Sequence, residues 1–203
     1  MNQAQQEVEA GTPSTNGDTV YLAVTDKDGN SVSFINSLYQ GFGSGIVVGG
    51  TGICLQNRGS LFSLEAEHSN CIAPHKRPYH TIIPAMVFKD GNLFLTFGVM
   101  GGFMQPQGHV QLLLNIIDFR MGLQTALDAP RFRYIQGNEC AFERGIPAGV
   151  LRGLANMGHR ITKLDDPYSQ QFGGGQAIMI DPSTKALVAG SDPRKDGCAI
   201  GVC

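Results

Sequence analysis

The chain has 203 residues, 42% of them hydrophobic, with 27 glycines and a formal net charge of −2. That length suits one domain, or a good part of a larger one, with apolar side chains enough for a sizeable core. Fifteen basic against seventeen acidic residues leave no sign bias that would favour nucleic acid or an anionic membrane as partner.

Residues 1–18, MNQAQQEVEAGTPSTNGD, hold almost no large apolar side chains. Such a segment cannot offset its ordering entropy by burial, so a flexible leader is expected there. From Thr19 the pattern changes to TVYLAVT, the turn DKDGN and SVSFINSLY, which predicts a β-hairpin with Asp28-Gly29 suited to positive φ. The glycine-rich stretch 41–57 surrounds a short apolar strand, and 58–78 reads as a polar loop. A second hairpin is expected in TIIPAMVFKDGNLFLTFGVMGG. Its strands are apolar at nearly every position, as if buried on both faces.

The period then lengthens. HVQLLLNIIDFRM (109–121) predicts a helix with Val110, Leu113, Leu114, Ile117 and Met121 on its apolar face. LQTALD predicts a second short helix, stopped near Pro130. Residues 147–158 predict a third, with Pro147 near its first turn and Gly158 as C-cap. HRITKL and GQAIMIDPSTKALVAGSDP return to strands, the latter a hairpin around Asp181-Pro182. Strands, helices and strands again suggest layers of sheet and helix about a shared core.

Several chemistries lack their signatures. No apolar run approaches the ~20 residues of a bilayer-spanning helix, and no charged-then-apolar signal pattern opens the chain. Five cysteines (Cys54, Cys71, Cys140, Cys198, Cys203) are scattered without a CxxC pair, which argues against a disulfide framework and against zinc. Buried, inert thiols in a reducing, cytoplasmic compartment are the expectation. His68, His75, His80, His109 and His159 show neither HxxxH nor HExxH spacing, so no metal is expected. The chain has no phosphate-binding glycine loop and no GxSxG elbow; GFGSG precedes a strand rather than a helix.

Thr19 admits two readings. It is a good strand residue, and it is also a residue type able to act as an N-terminal nucleophile. A threonine hydroxyl needs a base, and a freed α-amino group of pKa ~7.7–8.0 supplies one near pH 7. That chemistry calls for Thr, Ser or Cys at a strand start behind a detachable leader, which residues 1–18 and Thr19 provide.

DTVYLAVTDKDGNSVSFINSLYQGFGSGIVVGGTGICLQN resembles the start of the small subunit of γ-glutamyltranspeptidases, members of the N-terminal-nucleophile hydrolases. HKRPYHTIIPAMVFKDG, GVMGG, ALDAPRF and SDPR resemble the family's later landmarks, in order, across residues 18–197. The resemblance implies the small-subunit portion of an αββα four-layer sandwich. Residues 19–203 would be its catalytic domain and 1–18 the tail of a large subunit. It also implies an acyl transferase or amidohydrolase acting on small-molecule γ-glutamyl or glutaryl-type amides, with no cofactor. The partner would be the large subunit of the same precursor, in a heterodimer or heterotetramer.

Position by position, Thr19 matches the nucleophile that self-cleavage after Asp18 exposes, and Ser37 the hydroxyl residue that hydrogen-bonds it. Gly101 and Gly102 match the backbone amides that hold the tetrahedral oxyanion. Two glycines let the main chain approach closely, and such donors contribute roughly 3–4 kcal/mol each in acyl transfer. A tight turn after a buried strand is the alternative for GVMGG.

Substrate recognition departs from the family. Tyr39 stands where a polar residue reads the substrate's α-amino group, and SLF (Ser60, Leu61, Phe62) replaces a DDF-like acidic motif. His80 and Thr81 replace the paired serines of the α-carboxylate site; His80 reads as a substrate contact or a packed ring. An α-ammonium facing Tyr39 and Leu61 would lose its charged partner. The pattern therefore resembles the branch that includes cephalosporin (glutaryl) acylases. The carboxylate-binding Arg of the family's large subunit has no counterpart here. An inactive fragment lacking that subunit is the competing expectation.

Overall fold

The computed structural model describes residues 17–164 and 168–202, with only the backbone of Gly17, Asp18 and Leu164. The leader expected to be flexible lies outside the described residues except for its last two, and so does Cys203.

The first hairpin forms from β1 (Gly17–Thr25) and β2 (Ser31–Gln40), paired antiparallel. Asp26 closes its turn by accepting the N–H groups of Asp28 and Asn30 at 2.9 Å each. Gly29 there takes φ +84°, a value open to glycine. The second hairpin joins β3 (Ala85–Lys89) to β4 (Asn92–Met100) through Asp90 at φ +51° and Gly91 at φ +78°. Two successive positive φ values are what a tight turn between right-twisted strands requires. With β8 (Gly174–Ile180) and β9 (Leu187–Ser191) these strands make an antiparallel sheet in the order β3-β4-β8-β9. The β8–β9 turn is held by Asp181, which accepts from Ser183 N and Thr184 N at 2.9 and 2.8 Å.

β4 is the hub, and its alternation assigns its two faces. Leu95, Phe97 and Val99 pack with Leu112 and Ile116 of α1 (Met104–Ile117) and Leu123 and Leu127 of α2 (Leu123–Asp128). Met100 faces the other way, packing with Tyr21 and Ile35 of the hairpin. On that same face a Cβ at Gly98 would lie 2.5 Å from the Tyr21 ring, so only glycine lets the hairpin seat. The result is helix, sheet and hairpin in three layers. Beyond them Val20, Leu22, Val24, Val32 and Phe34 form an outer hairpin face that no described element covers, each 45–58% exposed. β3 corrects the expectation of two buried faces. It is an edge strand whose Ala85 and Val87 pack partly buried against the core, while Met86 and Phe88 on its other face are exposed.

α1 begins five residues earlier than the apolar pattern suggested and bears out only part of the expected face, Leu113 and Met121 packing partly buried against the core. Met104, Gln105, Gly108, His109, Leu112 and Ile116 are buried, while Val110, Leu114 and Ile117 are exposed. The helix is apolar on two sides, and buried polar contacts choose between them. Gln105 Oε1 accepts from Ile83 N at 2.9 Å, and His109 Nε2 lies 2.9 Å from Ile83 O.

The expected strand in HRITKL forms as β7 (Arg160–Leu164), in a third sheet with two strands unread in the sequence, β5 (Phe132–Gln136) and β6 (Glu139–Glu143). β6 and β7 run parallel, joined through α3 (Ala148–Asn156). Pro147 is the N-cap of α3, beside its first turn as expected, and Gly158 at φ +98° ends it. Gly158 N and His159 N donate to Ala155 O and Leu154 O at 3.0 and 3.1 Å, the paired closure of a helix end in which glycine is favoured. Residues 41–57 contain no strand. They make a tight arm with one isolated bridge, Val47–Cys54, and exposed Phe42, Ile46 and Ile53. Of the described cysteines, all free, only Cys140 is buried; Cys54 and Cys71 are half-buried and Cys198 exposed.

Burial pushes the Tyr21 phenol up to about 12, against a smaller opposing effect of its hydrogen bond to Ser33. The folded state therefore resists ionising Tyr21 while the unfolded chain ionises near pH 10. Its contribution is fully present below pH 10 and is lost as pH rises through about 12, a fall of roughly 3 kcal/mol. Tyr21→Phe should cost about 1 kcal/mol at pH 7 by removing the Ser33 bond. It should also flatten the alkaline loss, as urea unfolding at pH 8, 10 and 11.5 will show.

Candidate active site

Thr19 lies at an irregularity in the hairpin. Asp18 is paired with Tyr39 but Thr19 with Ser37, so Leu38 is the extra residue of a bulge between them. The bulge puts Tyr39 at φ +76°, unusual for a bulky side chain. Bulges of this kind re-aim side chains and recur beside active sites. Here it turns the Ser37 hydroxyl to within 2.8 Å of Thr19 Oγ1. Ser37 Oγ also accepts the Tyr39 N–H at 2.9 Å, and Asn36 Oδ1 accepts the Ser37 N–H at 3.0 Å. The predicted pair Thr19 and Ser37 thus meets in a fixed geometry, half-buried.

Gly101 and Gly102 follow directly on Met100, which lines the same cleft as Thr19. Their φ values are +129° and +57°, and a Cβ on Gly101 would approach Gly173 Cα at 2.9 Å. Their carbonyls accept from Met104 N and Gln105 N at 3.0 Å, opening α1, while no described acceptor takes either glycine N–H. Two idle backbone donors in a left-handed turn at a helix start make an anion-binding concavity.

Tyr39 is buried, and its ring lies beneath the guanidinium of Arg58 at 4.9 Å. Arg58, at the start of a 3₁₀ turn (Arg58–Leu61), is only 2% exposed and donates to Thr81 Oγ1 at 2.8 Å. The stretch read as a polar loop therefore opens on a buried cation. Thr81 is likewise buried, and the Gln105 and His109 contacts to Ile83 hold its segment in place. Leu61 is half-buried at the end of the turn, where its carbonyl accepts Asn70 Nδ2 at 2.6 Å. His80 is exposed, which removes the packed-ring reading. Partial burial and the positive charges of Arg58 and Arg77 hold its imidazole below the usual range.

Thr19, Ser37, Tyr39, Arg58 and Thr81 thus form one chain of contacts. Leu61 and His80 flank it without a hydrogen bond to it. Arg58 was the missed member; its signal is a lone arginine between Asn57 and Gly59, a pattern that reads as solvated surface. The cleft that Thr19 shares with Met100, about 490 Å³, runs from Thr19 and Tyr21 along Gln176 to Ile200 and includes neither Tyr39 nor Thr81. No group of three or more metal-ligating side chains occurs among the described residues. No described helix is long and apolar enough to cross a membrane.

A family model described as gamma-glutamyltranspeptidase matches residues 1–202. The chain is 41% identical over 190 residues to the glutathione hydrolase-like YwrD proenzyme of Bacillus subtilis, covering 91% of this chain and 36% of that protein. It superimposes on a cephalosporin acylase from Bacillus halodurans with a TM-score of 0.83 and 50% identity, over 88% of this chain and 33% of the other. Against a highly active mutant of the gamma-glutamyltranspeptidase from Pseudomonas nitroreducens the TM-score is 0.78 at 30% identity. That match covers 90% of this chain and 98% of the other. The chain spans about a third of the length of the curated relatives it matches.

Proposed function

The chain belongs to the gamma-glutamyltranspeptidase family, and from that premise we propose that it carries the nucleophile of an amide-cleaving acyl transferase or hydrolase. Cleavage of the Asp18–Thr19 bond would mature it, leaving residues 19–203 as the catalytic domain. The observation that carries this reading is the Thr19–Ser37 hydroxyl pair at 2.8 Å, set by a bulge at that very bond. The relative from Bacillus subtilis is named a proenzyme, which supports a processed precursor.

In the mature chain the free amine of Thr19 takes the proton of its own hydroxyl, and Oγ1 attacks the amide carbonyl. The oxyanion accepts from the idle N–H groups of Gly101 and Gly102. As the tetrahedral intermediate collapses, the carbon–nitrogen bond breaks and the ammonium returns its proton to the departing amine. An ester on Thr19 remains. Water or an acceptor amine then attacks that ester, again losing a proton to the α-amine, and frees the threonine hydroxyl. While residue 18 stays attached, that nitrogen is an amide with no lone pair to offer, and the site is silent.

The uncovered outer face of the hairpin supports a large subunit from the same precursor as partner in a heterodimer or larger assembly. A chain held apart from that partner would be the inactive alternative. Intact-mass measurement of the full-length protein should show, on incubation, a new chain beginning at Thr19, with anilide hydrolysis rising in step. Cleavage at another bond, or hydrolysis by a wholly uncleaved protein, would end this reading.

A further inference from the structure

Among the described residues three arginines are buried, each 2% exposed, and two of them follow the usual rule for a buried cation. Arg131 and Arg194 each meet a carboxylate at 2.6 Å and donate further to backbone carbonyl oxygens. Arg58 does not. It is 2% exposed, one terminal nitrogen donates to Thr81 Oγ1, and the other, Nη2, has no partner. No described carboxylate pairs with it, and the charges acting on its neighbour His80 are those of Arg58 and Arg77, both positive. A buried guanidinium with an idle donor is costly to the free protein. Such departures from local satisfaction collect where a ligand completes the site.

Its position says which ligand. Asn57 ties the 3₁₀ turn to the end of β2, donating to Leu38 O and accepting from Gln40 N at 3.1 Å each. Arg58 is thereby stacked on Tyr39, the residue that follows the bulge and whose N–H orients Ser37 toward Thr19. We propose that Arg58 is the anion-binding residue of the acyl-donor site, where Nη2 takes a carboxylate at the far end of the acyl chain. The proposal rests on the acyl-transfer reading above. It narrows the substrate class to monoamides of dicarboxylic acids, such as glutaryl amides. A γ-glutamyl group offers the same carboxylate but adds an ammonium, which finds only cations and an aromatic ring among these side chains.

The test uses the mature full-length enzyme with glutaryl, γ-glutamyl and valeryl p-nitroanilides, and calorimetric binding of glutarate. The expected order of kcat/KM is glutaryl, then γ-glutamyl, then valeryl, the first exceeding the last by about 10–100-fold, the range of one charge-assisted hydrogen bond. Arg58→Gln should remove most of that advantage through KM and abolish glutarate binding, its loss on the glutaryl anilide exceeding its loss on the valeryl one by about 10-fold or more. Arg58→Lys, which keeps the charge without the fork, should fall between. If Arg58→Gln fails to fold, the wild-type substrate order and the lysine variant still decide. Equal losses on glutaryl and valeryl substrates would make Arg58 structural and overturn the proposal. So would a wild type that binds no glutarate, or an Arg58→Gln variant that binds it undiminished. Arg58-dependent glutarate binding without Thr19-dependent turnover of any anilide would uphold the anion site and remove the acyl-transfer reading instead.

Discussion

Thr19→Ala in the full-length protein should leave the Asp18–Thr19 bond intact and lower anilide turnover by roughly 10⁴-fold or more, the scale of losing an essential nucleophile. The two losses have one cause. Self-cleavage needs Oγ1 to attack the Asp18 carbonyl, transferring the acyl group from nitrogen to oxygen before water releases it, and turnover needs the same oxygen again. Alanine keeps the strand position and little else changes. Thr19 is half-buried and its methyl makes no part of the described core, so the fold should survive. Thr19→Ser keeps the hydroxyl and its 2.8 Å partner Ser37, and should cleave and turn over, more slowly because a side chain without β-branching is less fixed in rotamer. Intact mass and initial rates on the same samples separate the cases. A Thr19→Ala protein that still cleaves after Asp18, or still hydrolyses anilides, would move the nucleophile elsewhere.

How much of this could be read from residues alone depended on how local the physics was. The three hairpins were legible because Gly29, Gly91 and Asp181 mark turns whose backbone demands are set within four residues. The Thr19–Ser37 pairing was legible only through family resemblance, since it depends on an extra residue, Leu38, that no alternation reveals. α1 was placed but only partly oriented, Leu113 and Met121 packing as expected and Val110, Leu114 and Ile117 not: apolar residues lie on both its sides, and the deciding contacts are the polar ones of Gln105 and His109 with Ile83. β5 and β6 were hidden because Arg131, Arg133 and Glu143 break the apolar pattern. Two of these prove buried, as Arg58 does. In each case a charged residue that reads as surface was satisfied, or left waiting, by groups far away in sequence.

Those distant charges carry the largest expected effect on stability. Arg131 of APRF and Asp192 and Arg194 of SDPR converge with Glu143 into a four-charge cluster with no exposed member. Arg194 grips Glu143 through Nε and Nη2 at 2.8 and 2.6 Å and donates to Leu127 O and Ala129 O. Arg194→Ala would strand two carboxylates against one remaining arginine, and should destabilise by about 3–5 kcal/mol. That corresponds to a fall in melting temperature on the order of 10 °C for a domain of this size. Lysine should not rescue it, because one ammonium cannot reproduce the fork. Breaking the exposed pair Arg160–Glu139, at 3.9 Å, should cost under about 1 kcal/mol and serves as control. The cluster also reaches toward the chemistry. Asp192 accepts the Gly175 N–H at 2.9 Å and Arg131 holds Phe172 O at 3.1 Å, fixing the strand entry at Gly173 against which Gly101 packs. Arg194→Ala should therefore lower kcat even at temperatures where it remains folded, as the Gly101–Gly102 donors lose their backing. A variant that loses stability but keeps the full kcat would show that the cluster fastens the fold without aiming the oxyanion donors.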